Sequence, residues 1–91
     1  MRNSMILDYE EKLLEIIDAS VETASDDELF AGGYLRGHIS LSVASCETAG
    51  INDVEILKQQ VEKSLNDARS ELSPADQVIV ADLWAELKAS V

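Results

Sequence analysis

The run Ser25-Asp26-Asp27-Glu28-Leu29-Phe30-Ala31-Gly32-Gly33-Tyr34-Leu35-Arg36-Gly37-His38 decides how this chain is read. It opens with a capping box. The Ser25 hydroxyl and the Glu28 carboxylate can each satisfy a backbone N–H that a helix start leaves without a partner. Three acids in a first turn also suit the positive end of the helix dipole. The helix is expected to continue to about Ala49 and to stop at Gly50. Phe30, Tyr34, Leu41 and Ala44 make one apolar face, and Leu35, Ile39 and Cys46 another. A helix apolar on most sides is a central one. Gly33, Gly37, Ser40 and Ala44 line up as a stripe of small residues. Each mid-helix glycine costs about 0.8–1 kcal/mol relative to alanine, so a compensating gain is expected. It is either the close approach of another helix backbone, with Gly37 as a packing position, or a break of the helix at Gly32-Gly33.

Three further helices flank this one. The first is expected from about Ser4 to Ala24, where Ile6, Tyr9, Leu13, Ile16, Ile17 and Ala24 recur at three- and four-residue steps. The third opens at Asn52, with Glu55 three residues on, and carries a narrow stripe of Val54, Leu57, Val61, Leu65, Ala68 and Leu72. The fourth opens at Ser73-Pro74, because proline loses no helical donor at the first position. Val80, Leu83, Trp84 and Leu87 form its inward face. No stretch alternates as a strand would. Short connections favour antiparallel neighbours. The expectation is an all-α fold: a small antiparallel four-helix bundle with a central, glycine-containing second helix, residues 1–91 forming one domain.

Composition bounds the function. The chain has 91 residues and a net charge of −11, from seven basic and eighteen acidic side chains. Nucleic-acid affinity comes mainly from Lys and Arg neutralising phosphates, which argues against direct DNA or RNA binding. Anionic membranes are disfavoured for the same reason. No run approaches the roughly 20 apolar residues of a membrane span. Met1-Arg2-Asn3-Ser4 leads into a helix that soon meets Asp8, Glu10 and Glu11, which is not the unbroken apolar core of a signal peptide. Cys46 is the sole cysteine, so no internal disulfide forms. A cytoplasmic protein is expected.

The central segment resembles the signature of the YfcL family, small bacterial proteins of uncharacterised function. The residues that carry the resemblance are Ala24 to Ala31, then Gly33-Tyr34-Leu35-Arg36-Gly37-His38. A weaker echo is Glu71-Leu72-Ser73-Pro74 with Asp76, followed by Trp84. The resemblance spans nearly the whole chain. It implies an all-α fold in a cytosolic bacterial protein, and it implies no activity, cofactor or catalytic residue.

Three constellations are candidates for function. The ridge of Glu11, Glu15, Asp18 and Glu22, extended by Asp26 and Asp27, is either a solvated face or a surface for a basic protein partner. Arg36 is either ion-paired with a first-helix acid such as Glu10 or, with Tyr34, part of a binding hot spot. His38 is either a packed histidine bonded to a backbone carbonyl or carboxylate, or a functional group. One His and one Cys do not make a zinc site, and no loop of alternating acids suggests calcium. No acid, base and nucleophile set assembles from these residues, so no catalytic residue, cofactor or metal is expected. The reading is a protein–protein interaction module or adaptor. The alternative is a small-ligand binder or enzyme using Tyr34, Arg36 and His38. Self-association through the small-residue stripe or Ile56 is a third possibility.

Overall fold

The computed structural model describes residues 4–91; the start of the chain on which the leader argument partly rests lies outside the described residues. Four helices follow in order: α1 (Met5–Ala19), α2 (Asp26–Thr48), α3 (Val54–Asp67) and α4 (Pro74–Ser90), with a 3₁₀ turn at Arg69–Glu71 between the last two. No strand forms among the described residues. The chain is an all-α four-helix bundle.

The helix starts follow local chemistry. Ser25 Oγ accepts from the Glu28 N–H at 3.2 Å, and the Ser25 N–H donates to Glu28 Oε1 at 3.0 Å, closing the capping box. Ser73 Oγ accepts from the Asp76 N–H at 3.2 Å, with Pro74 opening the helix behind it. The end of α2 is a Schellman motif. Gly50 takes φ +74°, the Ile51 N–H reaches the Cys46 carbonyl at 2.8 Å, and the Gly50 N–H reaches the Glu47 carbonyl at 3.0 Å.

Two boundaries differ from expectation. The first helix stops at Ala19 rather than Ala24. The Ser20 hydroxyl turns back onto the Ile17 carbonyl at 2.9 Å, and Thr23 onto that of Ser20 at 3.3 Å, so short polar side chains compete with continued helical bonding. The third helix is capped by Asp53, not Asn52: Asp53 Oδ1 accepts from the N–H groups of Glu55 and Ile56. Asn52 Oδ1 instead accepts from the Ile6 N–H at 3.2 Å, tying the start of α3 to the start of α1.

The core gathers Ile6, Tyr9, Leu13 and Ile17 of α1, Leu57 and Val61 of α3, and Val80, Trp84 and Leu87 of α4 around α2. Helix α2 packs on all three others. It contributes Ala31, Leu35, Ile39, Val43 and Cys46 to the core, and it is the central element. Only one of its two apolar faces is internal. Phe30 and Leu41 are 41 % and 66 % exposed, Ala44 is exposed, and Tyr34 is half-buried. The molecule measures 40 × 29 × 18 Å. Tyr34 packs against the edge of the core, and no helix covers Phe30 or Leu41.

The same exposure corrects the reading of the glycines. Helix α2 is unbroken through Gly32-Gly33. A Cβ at Gly33 or Gly37 would meet nothing within 4 Å, so Gly37 is not a packing position. Gly32 is the close one: its Cβ would stand 3.2 Å from Ile17 Cγ2.

Candidate functional site

Tyr34, Arg36 and His38 lie on one helix but do not converge. Residues two apart on an α-helix do not face each other. Tyr34 and His38, four apart, do: their rings sit 4.6 Å apart, and Phe30 continues the row at 5.9 Å from Tyr34. Arg36 leaves on the other side and donates to Asp18 Oδ2 at 3.2 Å. The expected ion pair with a first-helix acid forms, with Asp18 in place of Glu10. Glu10 stands more than two turns earlier on α1, whereas Asp18 is in its last turn, alongside the first half of α2. Both partners are about half exposed, so the pair fixes geometry more than it stabilises, at about 0–1 kcal/mol.

His38 Nδ1 stands 2.6 Å from Ser64 Oγ of α3. Its partner is a hydroxyl, rather than the expected carbonyl or carboxylate, because α3 presents Ser64 at that level. The contact lies in an open polar groove of about 390 Å³ that also takes in Ser42, Ser45 and Lys63. A Ser–His contact is one part of a nucleophilic site. The other parts are absent among the described residues: no carboxylate pairs with His38, and the backbone N–H groups of mid-α2 and mid-α3 are spent on helical bonds. An oxyanion needs preorganised donors of that kind. The Tyr34 hydroxyl is buried without a hydrogen-bond partner, and burial, then the Glu71 charge, pushes its pKa up. Among the described residues no group of three His, Cys, Asp or Glu side chains could hold a metal ion.

Glu11, Glu15, Asp18, Glu22, Asp26 and Asp27 are all exposed. They do not form one helical ridge. Glu22 stands in the turn after α1, and Asp26 and Asp27 open α2. Glu28 beside them is held below the usual carboxylate range by the Ser25 backbone N–H and then the Ser25 hydroxyl.

Two of these acids, Asp18 and Glu28, border a groove that sequence reasoning did not single out. It lies between the end of α1, the first turns of α2, and α4, and encloses about 170 Å³. Ile17, Gly32 and Leu87 make its floor. Ile16, Val21 and Leu29 border it while remaining 36 %, 48 % and 42 % exposed. Asp18, Glu28 and Arg36 supply its charged rim. Ile16 was expected in the core stripe; α1 presents Ile17 inward and leaves Ile16 at the edge. The available signal was Leu29, a large apolar residue directly after three acids in an exposed first turn.

Sequence reasoning also missed Glu62. Its Oε2 accepts from Trp84 Nε1 at 3.0 Å and from Lys88 Nζ at 2.7 Å, joining α3 to α4. These two hydrogen bonds, Lys88 first, hold the Glu62 carboxyl below its ordinary range. The hint was Trp84, since a buried indole N–H seeks an acceptor.

Residues 7–89 match the family model described as YfcL protein. The chain is 45 % identical over 85 residues to the uncharacterized protein YfcL of Escherichia coli (strain K12), covering 91 % of this chain and 92 % of that protein. No solved structure matches it. The chain belongs to the YfcL family. No helix among the described residues is long and apolar enough to cross a membrane.

Proposed function

We propose that this member of the YfcL family is a cytoplasmic protein-interaction module whose partner presents a basic face. One observation carries the reading: charge of one sign is gathered at one part of the chain. Asp8 to Glu28 holds nine acids, opposed there by Lys12 alone. All nine are exposed except Glu10, which is half-buried. The next base, Arg36, is already engaged by Asp18. A field of this kind steers a basic partner, and salt weakens it, because screening acts beyond about 8 Å at physiological ionic strength. A small-ligand binder or enzyme using Tyr34, Arg36 and His38 has less support, since Arg36 diverges from the other two. A single cysteine, buried and unable to form an internal disulfide, supports the reducing compartment.

The test is site-specific photo-crosslinking in living cells. A photoreactive residue at Glu22 is expected to trap one discrete protein, and the same residue at Gln59, an exposed position on α3, is not. The association rate of that protein with the purified chain should fall roughly tenfold from low to high salt, within the range of electrostatic steering. It should fall similarly when Glu11, Glu15 and Glu22 are replaced by Gln. No adduct, or a rate indifferent to salt and to these variants, overturns the reading. An adduct with a second copy of the chain replaces it by self-association.

A further inference from the structure

We infer that the groove between α1, α2 and α4 seats one bulky apolar side chain of a basic amphipathic helix from a partner protein. The inference rests on the acidic-module reading and gives it a docking point. Size comes first. Ligand pockets for ordinary small molecules run to about 300–1,000 Å³, well above the 170 Å³ here. A cavity of about 150 Å³ holds benzene, so this one takes a single Leu- or Phe-sized group. The walls match that occupant, with Ile17 and Leu87 below and Ile16, Val21 and Leu29 exposed around the mouth. A helix laid into an apolar groove through one or a few anchors is a recurrent mode of recognition.

Gly33 leaves the groove open on the α2 side. It lines the groove, it is exposed, and a Cβ there would meet nothing within 4 Å. Its helical cost of about 0.8–1 kcal/mol therefore has no return inside the molecule. Gly37 carries the same cost outside the groove, so what Gly33 adds is room for an incoming side chain beside the α2 backbone. The charge of the occupant follows from the flanks. From Glu15 to Leu29 the chain carries Glu15, Asp18, Glu22, Asp26, Asp27 and Glu28, and the one base on the rim, Arg36, is paired with Asp18. A second copy of the chain would bring the same acids against them, at a net −11 on each side. Lysines or arginines flanking the apolar anchor fit this rim.

The test uses the full chain and a fluorescent synthetic amphipathic helix with Leu and Phe on one face and Lys elsewhere. A twin peptide carries Glu in place of every Lys. Gly33→Leu plugs the groove, and Gly37→Leu places the same side chain on the same helix in equally open space outside it. Circular dichroism melts confirm that both variants fold. The basic peptide is expected to bind the wild type and Gly37→Leu alike, at least tenfold more weakly to Gly33→Leu, and more weakly as salt rises; the acidic twin is not expected to bind. Salt-sensitive binding that ignores Gly33→Leu overturns the groove and leaves the acidic-module reading standing. Binding lost on Gly33→Leu but shared by the acidic twin and indifferent to salt overturns the basic occupant. No binding of the basic peptide to the wild type overturns the seat. Sedimentation showing a dimer that Gly33→Leu dissolves assigns the groove to a second copy instead.

Discussion

Alanine substitution at each of the four glycines tests the packing argument most directly, because the positions meet three different environments. Gly37 and Gly33 lie inside α2 with open space where a Cβ would stand. Only backbone propensity changes there, and Gly37→Ala and Gly33→Ala should each stabilise by about 0.8–1 kcal/mol. For a domain of this size that raises Tm by roughly 4–8 °C per kcal/mol. Gly32→Ala has the same propensity gain, but its methyl arrives 3.2 Å from Ile17 Cγ2. Ile17 is 6 % exposed and has little room to yield. Overpacking a tight site costs about 1–3 kcal/mol, which cancels or exceeds the gain, so Gly32→Ala should be neutral to destabilising. Gly50→Ala must hold φ +74°, at a cost of about 1–2 kcal/mol. The expected order is Gly37→Ala and Gly33→Ala above the wild type, with Gly32→Ala at or below it and Gly50→Ala below it. Urea unfolding followed by circular dichroism, with unchanged m values, reads it. Gly37→Ala at or below wild-type stability would refute the claim that this side of α2 faces open space.

Two further predictions concern titratable groups. The Glu62 carboxyl is depressed by its hydrogen bonds to Lys88 and Trp84. Its contribution is therefore present above the ordinary glutamate pKa of about 4.3 and lost as pH falls through the lower folded value. The urea midpoints of the wild type and Glu62→Gln should differ near neutrality and converge below that range; a constant gap across the titration sinks the assignment. Cys46 is 1 % exposed, and burial pushes its thiol pKa up. It should not react with a thiol-specific disulfide reagent until the protein unfolds, and prompt reaction of the native protein would show that α2 opens around it.

Much of this fold is written locally. Ser25 with Glu28, Ser73 with Pro74, and Gly50 after Ala49 each satisfy or release backbone groups within a few residues. The start of α2, the start of α4 and the end of α2 could therefore be read from adjacent letters. The core positions Ile6, Tyr9, Leu13, Leu57, Val61, Val80, Trp84 and Leu87 were legible too, because a 3.6-residue period sorts them onto one side of each helix. The boundary at Ala19 was not, since hydroxyl-to-carbonyl bonds of Ser20 and Thr23 compete with a helix whose apolar period appears to the eye to continue.

The candidate site was legible as composition and hidden as geometry. The acids of α1 and of the first turn of α2 were plain in the sequence, and an ion pair of Arg36 with a first-helix carboxylate was one of its two readings. Which carboxylate, Asp18 rather than Glu10, depends on how far α1 and α2 slide past each other. The sequence by itself determined four helices, their caps, a central α2 and the sign of the surface charge, all set by contacts within a turn or by residue type. Only the tertiary structure decided which apolar face of α2 is core, that Gly32 rather than Gly37 is tight, and that Ile16, Val21 and Leu29 border an open groove. Those outcomes depend on which side of a helix its neighbours cover: they bury Ala31, Leu35 and Ile39 of α2, half-cover Tyr34 and His38, and leave Phe30, Gly37 and Leu41 to water.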